Sequence, residues 1–125
     1  MTQPAYSARE LVRHAKGLAG TLSAEEVAKL HHEGAILIDV REPTETASGR
    51  IRGAHALPRG TLEFSIGDVT DDHDARIVTY CSAGSRAALA AATLKQMGYA
   101  GAIASEAGFD DLRKTGLPIE YDNEE

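Results

Sequence analysis

The chain holds a single cysteine, Cys81, and the residues after it have the types a nucleophilic thiol needs. Ile77-Val78-Thr79-Tyr80 reads as a buried strand, Cys81-Ser82-Ala83-Gly84-Ser85-Arg86 as a tight loop, and Ala87 to Met97 as a helix. A thiol at the strand-to-loop junction meets the loop's backbone N–H groups and the positive end of the following helix. Both stabilise a thiolate relative to a thiol. Ser82, Gly84 and Ser85 leave the loop free of bulky apolar side chains, as a loop that curls around a polar group requires. Gly84 can adopt the positive φ that such a curl uses. Arg86 adds a permanent cation suited to an anion. A lone cysteine is also a common small buried hydrophobe, and it is the loop's composition that favours chemistry over packing.

These residues need a frame. Hydrophobic residues make up 42% and charged residues 26% of 125, which suits one globular domain with its own core. No apolar run is long enough to span a membrane, and Met1 to Glu10 lacks the apolar stretch of a signal peptide. One cysteine excludes an internal disulfide and points to a reducing cytoplasm. The net charge of −6 argues against nucleic acid or an anionic membrane as a main partner. An anionic substrate must therefore be drawn in by local groups.

Ser7-Ala8-Arg9-Glu10 is a capping-box pattern and predicts a helix from Ala8 to about Lys16, broken by Gly17 and Gly20. This helix belongs to an extension over residues 1–20, appended to a single domain over 21–125. It can pack on its own domain or on a second copy, which leaves a homodimer open. Thr21-Leu22 predicts a short strand, and Ser23-Ala24-Glu25-Glu26 a second capping box whose helix ends before Gly34. His31 and His32 are expected at the surface, with no metal role.

Ala35 to Val40 is a continuous apolar run broken only by Asp39, the mark of a central parallel strand. Asp39 and Arg41 sit at its C-terminal end, the edge where ligands bind in open α/β sheets. Glu42 to Ser48 predicts a short helix starting near Pro43. Gly49 to Gly53 predicts a turn, Ala54 to Leu57 a short strand ended by Pro58, and Leu62, Phe64 and Ile66 one apolar face. Asp68 to Asp74 reads as a solvated loop and not a metal site. Ala102-Ile103-Ala104 is the last predicted strand. Gly108-Phe109 opens a final helical turn, and Asp122 to Glu125 is an acidic tail. The alternation of strands and helices predicts a parallel α/β domain.

Asp39-Val40-Arg41-Glu42, Gly49-Arg50-Ile51-Arg52-Gly53-Ala54 with Pro58, Cys81-Ser82-Ala83-Gly84-Ser85-Arg86 and Gly108-Phe109 occur in an order that resembles the single-domain rhodaneses. The similarity runs from about Leu22 to Pro118. It implies a three-layer α/β fold, with a mostly parallel five-stranded sheet and helices on both faces. It implies a sulfurtransferase in which Cys81 takes sulfane sulfur as a persulfide. The backbone from Ser82 through Ala83, Gly84 and Ser85 to Arg86 would hold that sulfur. A thiosulfate-like anion would donate, and a thiol, cyanide or a protein would accept. No metal or organic cofactor is implied. Arg50 stands where the family often has histidine, Ala107 replaces the first glycine of a late pair, and Leu112 stands near a common tryptophan. These departures fall on packing.

The loop chemistry agrees with that reading. A sulfurtransferase needs a thiolate that attacks and then leaves, and with no second cysteine the sulfur must go to an external acceptor. Arg86 has two possible roles, binding the donor's oxygens or anchoring the loop, for instance to Asp39. Arg41 has the same two roles, and Asp39 is expected to hold backbone donors or an arginine. Cysteine phosphatases and some arsenate reductases resemble the same strand–loop–helix layout. Their loop places five residues between Cys and Arg, and here there are four. A sulfur carrier or redox sensor without turnover is a third possibility.

Overall fold

The computed structural model describes residues 5–122. In chain order the elements are α1 (Ala8–Ala19), β1 (Thr21–Leu22), α2 (Ala24–His32), β2 (Ile36–Asp39), α3 (Pro43–Ala47), β3 (Arg50–Ile51), β4 (His55–Ala56), a 3₁₀ turn (Arg59–Thr61), α4 (Leu62–Val69), β5 (Ile77–Tyr80), α5 (Ser85–Gln96), β6 (Ala102–Ser105), α6 (Phe109–Arg113) and β7 (Ile119–Glu120). Five strands form one sheet in the order β1-β6-β5-β2-β4, with every pairing parallel. β3 and β7 form a separate antiparallel pair.

The two-residue period of the strands assigns side chains to two layers. Ile38, Ile77 and Cys81 join Leu62, Ile66 and the α5 residues Ala87, Ala90, Ala91 and Leu94 in one core. Leu37, Val78 and Tyr80 face the other way and pack with Val27 of α2, Ile51 and Leu112 of α6. The fold is therefore a three-layer α/β sandwich. The alanines of α5 let its axis lie close to the sheet, and Ala87, Ala88, Ala90 and Ala91 are all buried. Leu112 fills its place in the second core completely.

Several predicted details differ. α1 runs through Gly17 to Ala19 and packs on α5 of its own domain, with Ala15 and Ala19 buried. A glycine inside a helix costs about 1 kcal/mol relative to alanine. Burial of Ala15 and Ala19 offsets that cost, and the helix stops only at Gly20, whose φ is +81°. Phe64 is not on a common face with Leu62 and Ile66. The segment is helical, so positions four apart share the buried side while Phe64 is 87% exposed. The Gly49–Gly53 turn contains β3, and β7 comes after the predicted last strand. Arg50 bonds Glu120 at 3.4 Å and also Asp122, so Asp122 is tied down where an acidic tail was expected. Residues 123–125 of that tail lie outside the described residues. His31 is half-buried, with Nε2 2.9 Å from the Arg52 carbonyl oxygen, while His32 is exposed.

Candidate functional site

The C-terminal ends of β2 and β5 lie side by side, with Asp39 in register with Tyr80. Cys81 follows directly and is 1% exposed. Its sulfur accepts two backbone hydrogen bonds, from Gly84 N–H at 3.1 Å and from Ala87 N–H at 3.3 Å. The loop thus closes back over its own first residue. Gly84 makes this possible. Its φ is +99°, and a Cβ there would press on the Glu106 carbonyl oxygen at 3.1 Å. Thr79 fastens the other side, donating its hydroxyl to Ala87 O at 2.8 Å from a fully buried position. Ser82, Ala83 and Ser85 are exposed on the loop.

Arg86 faces Glu45 of α3. Nη1 lies 2.7 Å from Oε1 and Nη2 3.1 Å from Oε2, a two-pronged pair. Ser82 joins it, donating to Glu45 Oε2 at 3.0 Å and accepting from Arg86 Nη2 at 3.3 Å. Glu45 Oε1 also accepts from Glu42 N–H at 2.9 Å. The Arg86 bonds come first among the causes that hold the Glu45 carboxyl down at about 2. The same pairing raises Arg86 above its ordinary value.

Asp39 is not the partner of Arg86. It is fully buried and accepts from Arg41, from the backbone N–H at 3.0 Å, from Nε at 3.0 Å and from Nη2 at 2.8 Å. Arg41 Nη2 also donates to Gly49 O at 2.7 Å, and its guanidinium lies 4.2 Å over the Phe109 ring. Burial works against the Arg41 charge, but the Asp39 hydrogen bonds and charge outweigh it and leave the guanidinium above its ordinary value. The reason for the separation is the pleat. Asp39 shares the Leu37 and Tyr80 face of the sheet, and Cys81 the opposite one. Tyr80 lies beside Asp39, and its hydroxyl oxygen accepts from Ile51 N–H at 3.0 Å. Its phenol is pushed up, first by burial and then by the Asp39 charge.

Two supporting residues fall outside the sequence expectation, and a third, Gly108, enters it only through the final helical turn and the resemblance. Ala87, one position past the predicted loop, supplies the second donor to sulfur. Glu45 holds Arg86, and its signal was weak: an acidic residue three positions into a helix beside the strand end. Gly108 meets the loop backbone so closely that a Cβ would overlap the Ser82 carbonyl oxygen, and Phe109 N–H donates to Cys81 O at 2.9 Å. Among the described residues no group of His, Cys, Asp or Glu is placed to hold a metal. No helix of the described chain is long and apolar enough to cross a membrane.

Comparison with known proteins bears on the family and the fold. The family model for the rhodanese-like domain matches residues 23–115. A sulfurtransferase of Allochromatium vinosum is 34% identical over 87 residues, covering 70% of this chain and 79% of its own. The thiosulfate sulfurtransferase GlpE of Pseudomonas entomophila is 32% identical over 94 residues, covering 75% and 84%. Among solved structures, a Rhodopseudomonas palustris protein of unknown function, described as a possible tyrosine phosphatase, superposes with TM-score 0.80 at 32% identity, over 96% of this chain and 99% of that one. The polysulfide-sulfur transferase homodimer of Wolinella succinogenes superposes with TM-score 0.77 at 32% identity, over 90% and 86%. The chain belongs to the rhodanese-like domain family.

Proposed function

We propose that this chain transfers sulfane sulfur through a persulfide on Cys81. The observation that carries the reading is the closure of the loop on the sulfur by Gly84 and Ala87 N–H. Such donors favour negative charge on sulfur, first on the thiolate and then on its persulfide. With thiosulfate, the Cys81 thiolate attacks the outer sulfur, the bond from that sulfur to the SO₃ group breaks, and sulfite leaves with the electron pair. An external thiol, cyanide or protein thiolate then attacks the terminal sulfur, and the Cys81–sulfur bond breaks to restore the thiolate.

In this reading Cys81 is the nucleophile, and Ser82, Ala83, Gly84, Ser85 and Arg86 form the substrate loop. Arg86 anchors that loop through Glu45, while Asp39 and Arg41 hold the neighbouring strand end. Residues 21–125 form the sulfurtransferase domain, and residues 1–20 add α1 to it. A cytoplasmic setting suits a lone thiol that must stay reduced.

The phosphatase reading is favoured by one observation, the likeness to the Rhodopseudomonas palustris protein. Two features weigh against it. Only four residues separate Cys81 from Arg86, and both outer nitrogens of Arg86 already face Glu45. Phosphate binding would need that guanidinium free.

Intact-mass spectrometry before and after thiosulfate, with a cyanide wash as the reverse step, tests the reading. A gain of one sulfur atom on Cys81, removed by cyanide, is expected. Hydrolysis of an aryl phosphate with no sulfur gained would move the assignment to the phosphatase. A sulfur gained but never passed on would make the chain a carrier or sensor.

A further inference from the structure

Among the described residues five polar or charged side chains are buried: Asp39, Arg41, Thr46, Thr79 and Ser105. Asp39 and Arg41 hold each other. Thr46 and Ser105 donate to carbonyl oxygens close by in sequence, at Pro43 and Ala107. Of the three hydroxyls, that of Thr79 alone crosses to a different element. It leaves β5 and reaches Ala87 O in the first turn of α5.

The surroundings do not ask for a hydroxyl. Thr79 is in register with Ile38 on one side and Ala104 on the other, both fully buried. Valine has the same shape and the same preference for strands, and would bury no polar atom there. The acceptor has no unmet need either. Ala87 O lies inside α5, where the helix's own ladder serves it.

What the bond does is fix a distance. Ala87 is held at both ends by one face of β5. Its N–H donates to Cys81 Sγ at 3.3 Å, and its carbonyl accepts from Thr79 Oγ1 at 2.8 Å. Thr79 and Cys81 are two positions apart, so both side chains leave the chain on the α5 side. The first ladder bond of α5 runs from Ala88 N–H to Gly84 O. Ala87 N–H is therefore one of the first-turn donors without a partner inside the helix, free to serve sulfur. How strongly it acts there depends on how closely this turn sits against β5, because the attraction of a dipole for charge falls with distance.

We propose that Thr79 is a positioning residue for the sulfur chemistry. By tying Ala87 O to β5, it holds the first turn of α5 where Ala87 N–H bears on the sulfur, and so favours negative charge there. The role rests on the persulfide reading of Cys81. Thr79 is fully buried and touches neither donor nor acceptor.

The test compares the parent with Thr79→Val, which keeps the shape, and Thr79→Ser, which keeps the hydroxyl. Ionisation of the Cys81 thiol is followed by the ultraviolet absorbance of the thiolate against pH, with Cys81→Ser as the blank. Sulfur gain is followed by intact mass against thiosulfate concentration. In Thr79→Val the ionisation midpoint is expected to move upward by about 0.5 in pH. Its limiting rate of sulfur gain is expected to fall by about three- to tenfold, with half-saturation by thiosulfate unchanged. That is less than the roughly hundredfold cost of losing a donor outright, because Ala87 N–H is displaced and not removed. Thr79→Ser loses a methyl group from the core and is expected to keep the parent midpoint and rate. A parent-like Thr79→Val would overturn the proposal. Equal changes in the two variants, or loss of the fold in Thr79→Val, would make the side chain structural and overturn it as well. If the parent gains no sulfur from thiosulfate, the persulfide reading fails, and the ionisation midpoints still decide whether Thr79 positions the donor.

Discussion

The guanidinium of Arg86 and the carboxylate of Glu45 meet side by side, at 2.7 and 3.1 Å, across 41 positions of sequence. The contact joins the first turn of α5 to α3 and takes Ser82 into the same network. It decides which arginine serves which carboxylate at the strand ends. Both side chains are about one-third exposed, so solvent screens the pair. Its contribution to stability is expected at about 1 kcal/mol or less. Glu45→Gln and Arg86→Ala should therefore be non-additive by about 0.5–1 kcal/mol in urea unfolding. Full additivity would mean that the pair does not hold the loop.

Acid should weaken the same contact. Glu45 is depressed from 4.5 to about 2, so its stabilisation is complete above 4.5 and is lost as pH falls through about 2. Between pH 6 and pH 2 the parent is expected to lose more stability than Glu45→Gln. The urea midpoint as a function of pH measures this. Parallel curves for the two proteins would refute the assignment.

Cys81→Ser keeps the size of the side chain and should leave the fold intact, because the site lies at a strand end where Thr79 and Phe109 still hold the backbone. Sulfur transfer from thiosulfate to cyanide is expected to disappear. Full activity in that variant would exclude the persulfide mechanism.

Asp39 and Arg41 form a buried pair, 0% and 6% exposed. Removing one member leaves the other charge uncompensated, at a cost of about 3–5 kcal/mol. Asp39→Ala is expected to lower the unfolding free energy by that much. A loss below about 1 kcal/mol would show that Arg41 reaches water when its partner is removed.

Two glycines should behave in opposite ways. Nothing lies within 4 Å of a Cβ at Gly17, which sits inside α1, so Gly17→Ala should stabilise by up to about 1 kcal/mol. At Gly108 a Cβ would overlap the Ser82 carbonyl, so Gly108→Ala must push the loop or α6 aside. A loss of at least about 3 kcal/mol is expected, with slower persulfide formation in the folded fraction. Thermal melts of both variants, with the mass assay on Gly108→Ala, check the contrast.

What the sequence alone determined was local. Capping boxes at Ser7 and Ser23 start α1 and α2, the apolar runs around Leu37 and Val78 become central strands, and Cys81 falls between β5 and α5. Each depends on side chains within a few residues of one another, where hydrogen bonding and periodicity act directly. The pairing of Asp39 with Arg41, two positions apart, was within reach for the same reason. The tertiary structure decided the rest. Sheet order brings β2 beside β5, and the pleat then turns Asp39 and Cys81 to opposite faces, which leaves Arg86 to Glu45. Burial of Ala15 and Ala19 on α5 carries α1 through a glycine that local propensity would stop at. Phe64 points to solvent because the helix period, not the strand period, governs its segment. These outcomes depend on which surfaces meet across the fold, and a residue's neighbours along the chain carry no record of that.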